Sequence, residues 1–190
     1  MPRASRFLRI TGGRLANRLV SCPLGPIRPA TDRIRESIFA ILGDLRGICF
    51  LDLFAGSGIM ALEALSRGAK IVLLVEKDKR KKRIILENLR IAEEDNTTLG
   101  RARLKIMPVE RLLQRGIQRC DVVFADPPFS MNNKENILIL ADRVGQPAPG
   151  GVLMLHYPSS DRMPDTTANL RLYDIRDYGQ SRLAFYTRDD

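Results

Sequence analysis

From residue 48 onward, apolar runs alternate with amphipathic ones, and that alternation restricts the fold more than any other feature of the chain. The apolar runs are "ICFLDLF" (48–54), "KIVLLVE" (70–76), "ARLKIM" (102–107), "CDVVFA" (120–125) and "GGVLMLHY" (150–157). Between them lie the helix-like segments "IMALEALSRGA" (59–69), "KDKRKKRIILENLRIA" (77–92), "VERLLQRG" (109–116) and "KENILILADRV" (134–144). Strands that are nearly all apolar must be covered on both faces, and strand–helix alternation supplies that cover around a parallel sheet. The tail, "NLRLYDIRDYGQSRLAFYTR" (169–188), holds two alternating runs around a turn at Tyr178–Ser181. It reads as an antiparallel pair that makes the sheet mixed at one edge.

Ahead of this α/β region, "RFLRITGGRLANRLVS" (6–21) reads as a β-hairpin, followed by the Pro-rich link "CPLGPIRPA" (22–30). Then "TDRIRESIFAILGDL" (31–45) places Ile34, Ile38, Ile41, Leu42 and Leu45 on a helical stripe. Thr31 is set to cap that helix, and Asp32 puts a negative charge in its first turn. The expected organisation is a hairpin and linker over 1–30 and an α/β domain over 31–190, a length that can bury a sizeable core.

The chain carries 31 Lys and Arg against 22 Asp and Glu, a net charge of +9. Such a balance makes a polyanion a candidate partner. Residues 1–36 hold Arg3, Arg6, Arg9, Arg14, Arg18, Arg28, Arg33 and Arg35 against only Asp32 and Glu36. They interleave with strand-like residues rather than tracing one helical face. The cluster "KDKRKKR" (77–83) reads more simply as the solvated outer face of a helix. No run approaches the roughly 18 apolar residues of a membrane span, and the opening "MPRASRFLRITGG" has no signal-peptide core. Cys22, Cys49 and Cys120 give neither a disulfide framework nor a metal spacing, so a cytoplasmic location without a metal site is expected.

Two stretches carry chemistry. In "DLFAGSGIMALEA" (52–64), Gly56 and Gly58 permit a tight strand-to-helix turn and close approach of a ligand. The helix start offers N–H groups to an anion. Glu76, at the end of the next strand, is placed to accept hydrogen bonds from both hydroxyls of a ribose. A nucleoside-type cofactor follows, although "GSGIMA" also fits the dinucleotide pattern, so a nicotinamide cofactor stays open.

The second stretch, "DVVFADPPF" (121–129), runs a strand into an acid, two prolines and an aromatic. In an open α/β sheet, Asp126 would emerge beside Gly56–Gly58 at the topological switch point. The prolines stiffen a lip whose carbonyls lack neighbouring donors. Asp126 and a lip carbonyl can then accept both hydrogens of an exocyclic amino group, aiming its lone pair at an electrophilic methyl group. Phe129 can stack on the base, flipped out of its helix. The plainer alternative is a turn with Phe129 filling a core gap. A 5-methylcytosine mechanism would need a cysteine at a strand's carboxyl end, and none of the three is there.

With F-A-G-S-G at 54–58 and D-P-P-F at 126–129, the chain resembles class I S-adenosylmethionine-dependent methyltransferases. "RITGG" (9–13) with "NRLV" (17–20), "RPATDRIRESIF" (28–39), "VEKD" (75–78) and "YGQSRLAFY" (178–186) make it similar to the bacterial family that methylates guanine N2 in 16S ribosomal RNA. That resemblance implies a Rossmann-like fold with a seven-stranded, mostly parallel sheet, a C-terminal antiparallel hairpin and a small N-terminal hairpin. It implies S-adenosylmethionine as cofactor and ribosomal RNA, bare or in an assembling small subunit, as partner. Asp52, Phe54, Gly56 and Gly58 would line the cofactor's methionine end, and Glu76 its ribose. Thr31, Asp32 and Arg33 would fold over it. Asp126, Pro127 and Phe129 would receive the base, and Arg9, Arg14, Arg18 and Arg28 would grip RNA phosphates.

Two positions depart from the family pattern. Its Asp-Ala pair for the cofactor adenine is replaced by "MPVERLL" (107–113), with Pro108 and Glu110 in that region, and its acid near the end of the fifth strand by His156. His156 reads as a structural strand-end residue, since an ammonium-like product can lose its proton to water. A DNA adenine methyltransferase, another nucleic-acid amino methyltransferase, an NAD-dependent enzyme and a non-enzymatic RNA-binding protein remain the alternatives.

Overall fold

The computed structural model describes residues 5–23, 31–94 and 100–188. A two-stranded antiparallel hairpin, β1 (Ser5–Arg9) with β2 (Leu19–Pro23), precedes helix α1 (Asp32–Leu42). Strands β3 (Cys49–Asp52), β4 (Ile71–Glu76), β5 (Arg101–Ile106), β6 (Val122–Ala125) and β7 (Val152–Pro158) then alternate with helices. The helices are α2 (Ile59–Ser66), α3 (Lys82–Glu93, after a 3₁₀ turn at Lys79–Lys81), α4 (Val109–Arg115) and α5 (Glu135–Arg143). β8 (Leu170–Asp177) and β9 (Ser181–Arg188) close the chain.

The seven strands β3 to β9 form one sheet in the order β5-β4-β3-β6-β7-β9-β8. β5, β4, β3, β6 and β7 pair in parallel, β9 lies antiparallel to β7, and β8 antiparallel to β9 at the edge. This is the mixed α/β sheet read from the sequence. The order reverses between β3 and β6, so the switch-point crevice opens there.

Side chains along each strand face two layers in turn. Phe50, Val72, Leu74, Phe124 and Met154 pack with α1, α2, α3 and the hairpin, whereas Leu51, Leu73, Val75, Val123 and Leu155 pack with α4 and α5. α2 is buried along its whole length, because the sheet lies on one side of it and the hairpin and α3 on others.

The hairpin is seated on this core rather than tethered beside it. Leu8, Ile10, Leu15 and Val20 are buried in the same cluster as α2. Arg14 donates its backbone N–H to Ser66 O at 2.8 Å, and Leu15 N–H to Ser66 Oγ at 2.8 Å. At Gly13, φ is +75° and a Cβ would come within 2.2 Å of Ser66 O, so no side chain fits. Thr31 caps α1 through its hydroxyl, which accepts from Ile34 N–H, as its place before the helix implies.

Cys49 and Cys120, 71 residues apart in the chain, are neighbours with Cα atoms 4.7 Å apart, because parallel pairing of β3 with β6 brings them together at the amino ends of these strands. No helix among the described residues is long and apolar enough to cross a membrane.

Candidate active site

Of four neighbouring strands, β4 ends in Glu76, β3 in Asp52 and β6 just before Asp126, while His156 stands on β7 two residues before its end at Pro158. Parallel pairing aligns their carboxyl ends, so groups as distant in the chain as Asp52 and His156 share one crevice. The glycine turn after β3 forms its floor. Ala55 N–H reaches across to Val75 O at 2.8 Å, and Gly58 N–H returns to Ala55 O at 2.7 Å. Gly56 (φ +58°) and Gly58 (φ +83°) both lie in the left-handed region that favours glycine. Gly58 is also the N-cap of α2 and has no side chain to take up the helix's first N–H groups.

Asp52 is buried, and that burial pushes its carboxyl up to about 8. Its bond from Phe54 N–H (3.2 Å to Oδ1) opposes the shift, while the nearby charges of Asp126 and Glu76 reinforce it. Oδ2 is buried without a hydrogen-bond partner among the described residues. Glu76 faces the turn. Its Oε2 accepts from Gly56 N–H at 3.1 Å and from Lys81 Nζ at 3.0 Å, and its Oε1 accepts from Asp78 N–H at 2.9 Å. A carboxylate offers about four acceptor sites, so one remains for a ligand hydroxyl.

The lip after β6 is built differently from a core turn. Pro127 is buried, but Phe129 is 48% exposed. Asp126 Oδ1 lies 2.8 Å from His156 Nδ1, and the Phe129 ring meets the imidazole edge-on with centroids 5.4 Å apart. Two of the carbonyls expected to lack donors have them: Pro128 O accepts from Met131 N–H (2.8 Å) and Phe129 O from Lys134 Nζ (2.9 Å). Lys134, itself buried, also donates to Met131 O at 2.7 Å and to Asp161 at 2.8 Å, tying the lip to the loop after β7.

The remaining predicted residues lie around this centre. Thr31, Asp32 and Arg33 are exposed at the start of α1, where Asp32 pairs with Arg35 at 2.9 Å. Pro108 caps α4 and Glu110 sits in its first turn, next to Met107, whose N–H donates to Glu76 O at 3.0 Å. Arg9, Arg14 and Arg18 are exposed on the hairpin; Arg28 lies outside the described residues. Among the described residues, no group of three or more His, Cys, Asp or Glu side chains could hold a metal ion.

The sequence pattern of the family described as "Conserved hypothetical protein 95" matches residues 8–187. The chain belongs to this family. It is 31% identical over 185 residues to "Ribosomal RNA small subunit methyltransferase D" of Escherichia coli strain K12. That match covers 96% of this chain and 90% of the relative. Among solved structures, the Escherichia coli protein yhhF superimposes with a TM-score of 0.83 at 30% identity, covering 97% of this chain and 99% of that one. Protein TTHA0928 of Thermus thermophilus gives 0.74 at 33% identity, covering 94% and 98%. The resemblance drawn from the residues thus holds at the level of the family.

Four residues at this site escape sequence reasoning. His156 reads as structural in the sequence, yet it bonds the predicted catalytic acid. Strand register carries the missing signal: Ala125 pairs with Leu155, so the next residues of "VVFAD" and "VLMLH" stand side by side. Lys81 hides in a run of solvated lysines, and Lys134 at the head of a helix. Asn88 of α3 donates to Ser21 O and Ser57 O, both at 2.8 Å, joining the hairpin to the glycine turn. No one-dimensional pattern announces that bridge.

Proposed function

We propose that the chain transfers a methyl group from S-adenosylmethionine to the exocyclic N2 amino group of a guanine in small-subunit ribosomal RNA. Membership of the family supports ribosomal RNA methylation, since its relative in Escherichia coli is named for that reaction. The observation that carries the amino-group chemistry is the pairing of a fixed carboxylate, Asp126, with an exposed aromatic, Phe129, at the carboxyl end of β6. That combination suits a planar base presenting an amino group.

The residues around the glycine turn fit the cofactor. The buried, unpartnered Oδ2 of Asp52 suits a cationic amino group such as that of the methionine end. Glu76 retains acceptor capacity for a ribose hydroxyl, and left-handed Gly56 and Gly58 keep Cβ atoms out of the approach. When bound, S-adenosylmethionine supplies an electrophilic methyl group. The base's amino lone pair forms the N–CH₃ bond as the methyl–sulfur bond breaks, its electron pair staying on sulfur, and the nitrogen then releases one proton. Asp126 and the Pro127 carbonyl orient the amino hydrogens and Phe129 stacks on the base, so catalysis is mainly positioning and electrostatic alignment. Exposed Arg9, Arg14 and Arg18 of the hairpin hold phosphates, and Phe7, 58% exposed on the same outer face as Arg9, offers a stacking surface.

The same lip suits an adenine amino group in DNA, whereas an NAD-dependent reaction would leave it without a role. Mass mapping of methylated nucleosides in ribosomal RNA from cells with and without the protein separates these readings. The expected result is one N2-methylguanosine, missing without the protein and restored by the purified protein with S-adenosylmethionine. Unchanged RNA together with a lost N6-methyladenine in DNA would replace the proposal by the second reading.

A further inference from the structure

We propose that His156 is a positioning residue: as a neutral Nδ1–H imidazole it fixes the rotamer of Asp126 while its ring edge seats Phe129. The inference rests on the amino-methylation reading and adds to it the group that aims the acid.

The proton assignment follows from the geometry. His156 Nδ1 and Asp126 Oδ1 are 2.8 Å apart, so one hydrogen lies between them. Three allocations are possible: a neutral Nδ1–H ring against a carboxylate, a carboxylic acid donating to an Nε2–H ring, or an imidazolium against a carboxylate. The second and third both place an N–H on Nε2. That atom is buried with no partner among the described residues, and an orphaned buried donor costs the full desolvation of an N–H group. The first leaves an unpartnered acceptor there, and under-satisfied buried acceptors are tolerated more often than orphaned N–H groups. Like the imidazolium pair it keeps Asp126 a pure acceptor, and unlike that pair it puts no second charge in the buried site.

The consequence for the reaction is directional. With Oδ1 held by the imidazole, Oδ2 is the oxygen left to receive an amino hydrogen of the base. The same ring meets Phe129 at an interplanar angle of 62°, and Phe129 is otherwise half in solvent. Asp126 and Phe129 are three residues apart on a proline-stiffened segment, so one buried side chain on the neighbouring strand orients both ends of the lip. A histidine that merely filled the strand end would need neither the 2.8 Å contact nor the edge-on approach.

The chain contains a single histidine, so its imidazole can be observed without overlap. In the ligand-free protein, ¹H–¹⁵N long-range spectra at neutral pH are expected to show the Nδ1–H tautomer; an Nε2–H or imidazolium pattern would overturn the assignment. His156→Asn keeps a donor at the Nδ1 position, and His156→Phe keeps only the ring. With melting temperature and S-adenosylmethionine affinity as controls, kcat for ribosomal RNA methylation is expected to stay within about threefold in His156→Asn and to fall on the order of tenfold or more in His156→Phe, the loss of a hydrogen bond to a charged group. Equal kcat in the two variants would refute a positioning role. Should the unaltered protein fail to methylate ribosomal RNA, the functional reading fails, and the tautomer measurement still decides the proton assignment.

Discussion

Glu63 on α2 and Arg35 on α1 form an ion pair, Oε1 to Nε at 3.2 Å, with both side chains fully buried. The same carboxylate accepts from Thr11 N–H (2.9 Å) and Thr11 Oγ1 (3.0 Å) of the hairpin and from Arg67, while Arg35 donates to Arg9 O at 2.8 Å. Hairpin, α1 and α2 therefore meet on one charge. Removing Glu63 leaves the buried Arg35 guanidinium with the exposed carboxylate of Asp32 as its remaining counter-charge among the described residues, so the cost approaches the roughly 3–5 kcal/mol of a broken buried pair. Glu63→Ala is expected to lower stability by that order in urea unfolding with an unchanged m-value. A loss below about 1 kcal/mol would show that the network is not what seats the hairpin.

Asp52 makes ligand-free stability depend on pH in a defined direction. Its carboxyl is raised by burial from 3.8 to about 8, so between these values the folded state holds a proton that the unfolded state has released. The stabilisation is complete below pH 3.8, declines as pH rises towards 8, and is gone above it. The slope approaches at most about 1.4 kcal/mol per pH unit. Asp52→Asn should remove this component, so the stability difference between variant and parent should grow from about pH 5 to about pH 8. A difference flat across that range would contradict the raised value.

The same shift predicts a proton released on cofactor binding. At about pH 7 a carboxyl titrating at about 8 is mostly protonated, and a cationic amino group beside it favours the ionised form. Calorimetric titration of S-adenosylmethionine at that pH, in buffers of different ionisation enthalpy, should report release approaching about one proton. Asp52→Asn should bind without it. Identical proton release by the variant would place the ionising group elsewhere.

How far these features are legible depends on whether they are local. The parallel sheet shows in the apolar runs of β3, β4, β6 and β7, because a strand covered on both faces has no polar side to vary, whereas the edge strand β5 alternates exposed and half-buried residues. Asp126 and the glycine turn show because two prolines and two glycines constrain the backbone wherever they occur. His156, Lys134 and Asn88 do not, since each acts on a residue 5 to 67 positions away through a contact that only strand register or loop path creates. The adjacency of Cys49 and Cys120 is hidden for the same reason. Phe7 is the intermediate case: its place on a strand is readable, but which face of a two-stranded hairpin meets the core is not.

On the hairpin, charge and stacking make separable contributions to RNA binding. Replacing Arg9, Arg14 and Arg18 by Gln should flatten the dependence of log affinity on log salt by roughly 0.7 for each phosphate no longer neutralised on single-stranded RNA. Phe7→Ala should weaken binding by about 1–3 kcal/mol and leave the salt slope intact. Filter binding to ribosomal RNA fragments across salt concentrations measures both. If Phe7→Ala changes neither affinity nor slope, the outer face of the hairpin does not hold a base.

Asp126 and Phe129 should fail in different ways when altered, because one aligns the reacting amino group and the other holds the base. Asp126→Ala removes the acceptor that directs the lone pair, and should abolish turnover while S-adenosylmethionine affinity changes by less than about threefold, as expected for a contact that matters only for the reacting group. Phe129→Ala leaves that acceptor and its 2.8 Å partner in place but deletes the exposed ring. Its main effect should be on KM for RNA, by on the order of tenfold, with kcat reduced less. Single-turnover kinetics at saturating RNA separates the two. Retained turnover in Asp126→Ala would remove Asp126 from the reaction, and an Asp126-like loss of kcat in Phe129→Ala would mean that the ring, not the carboxylate alone, sets the attack geometry.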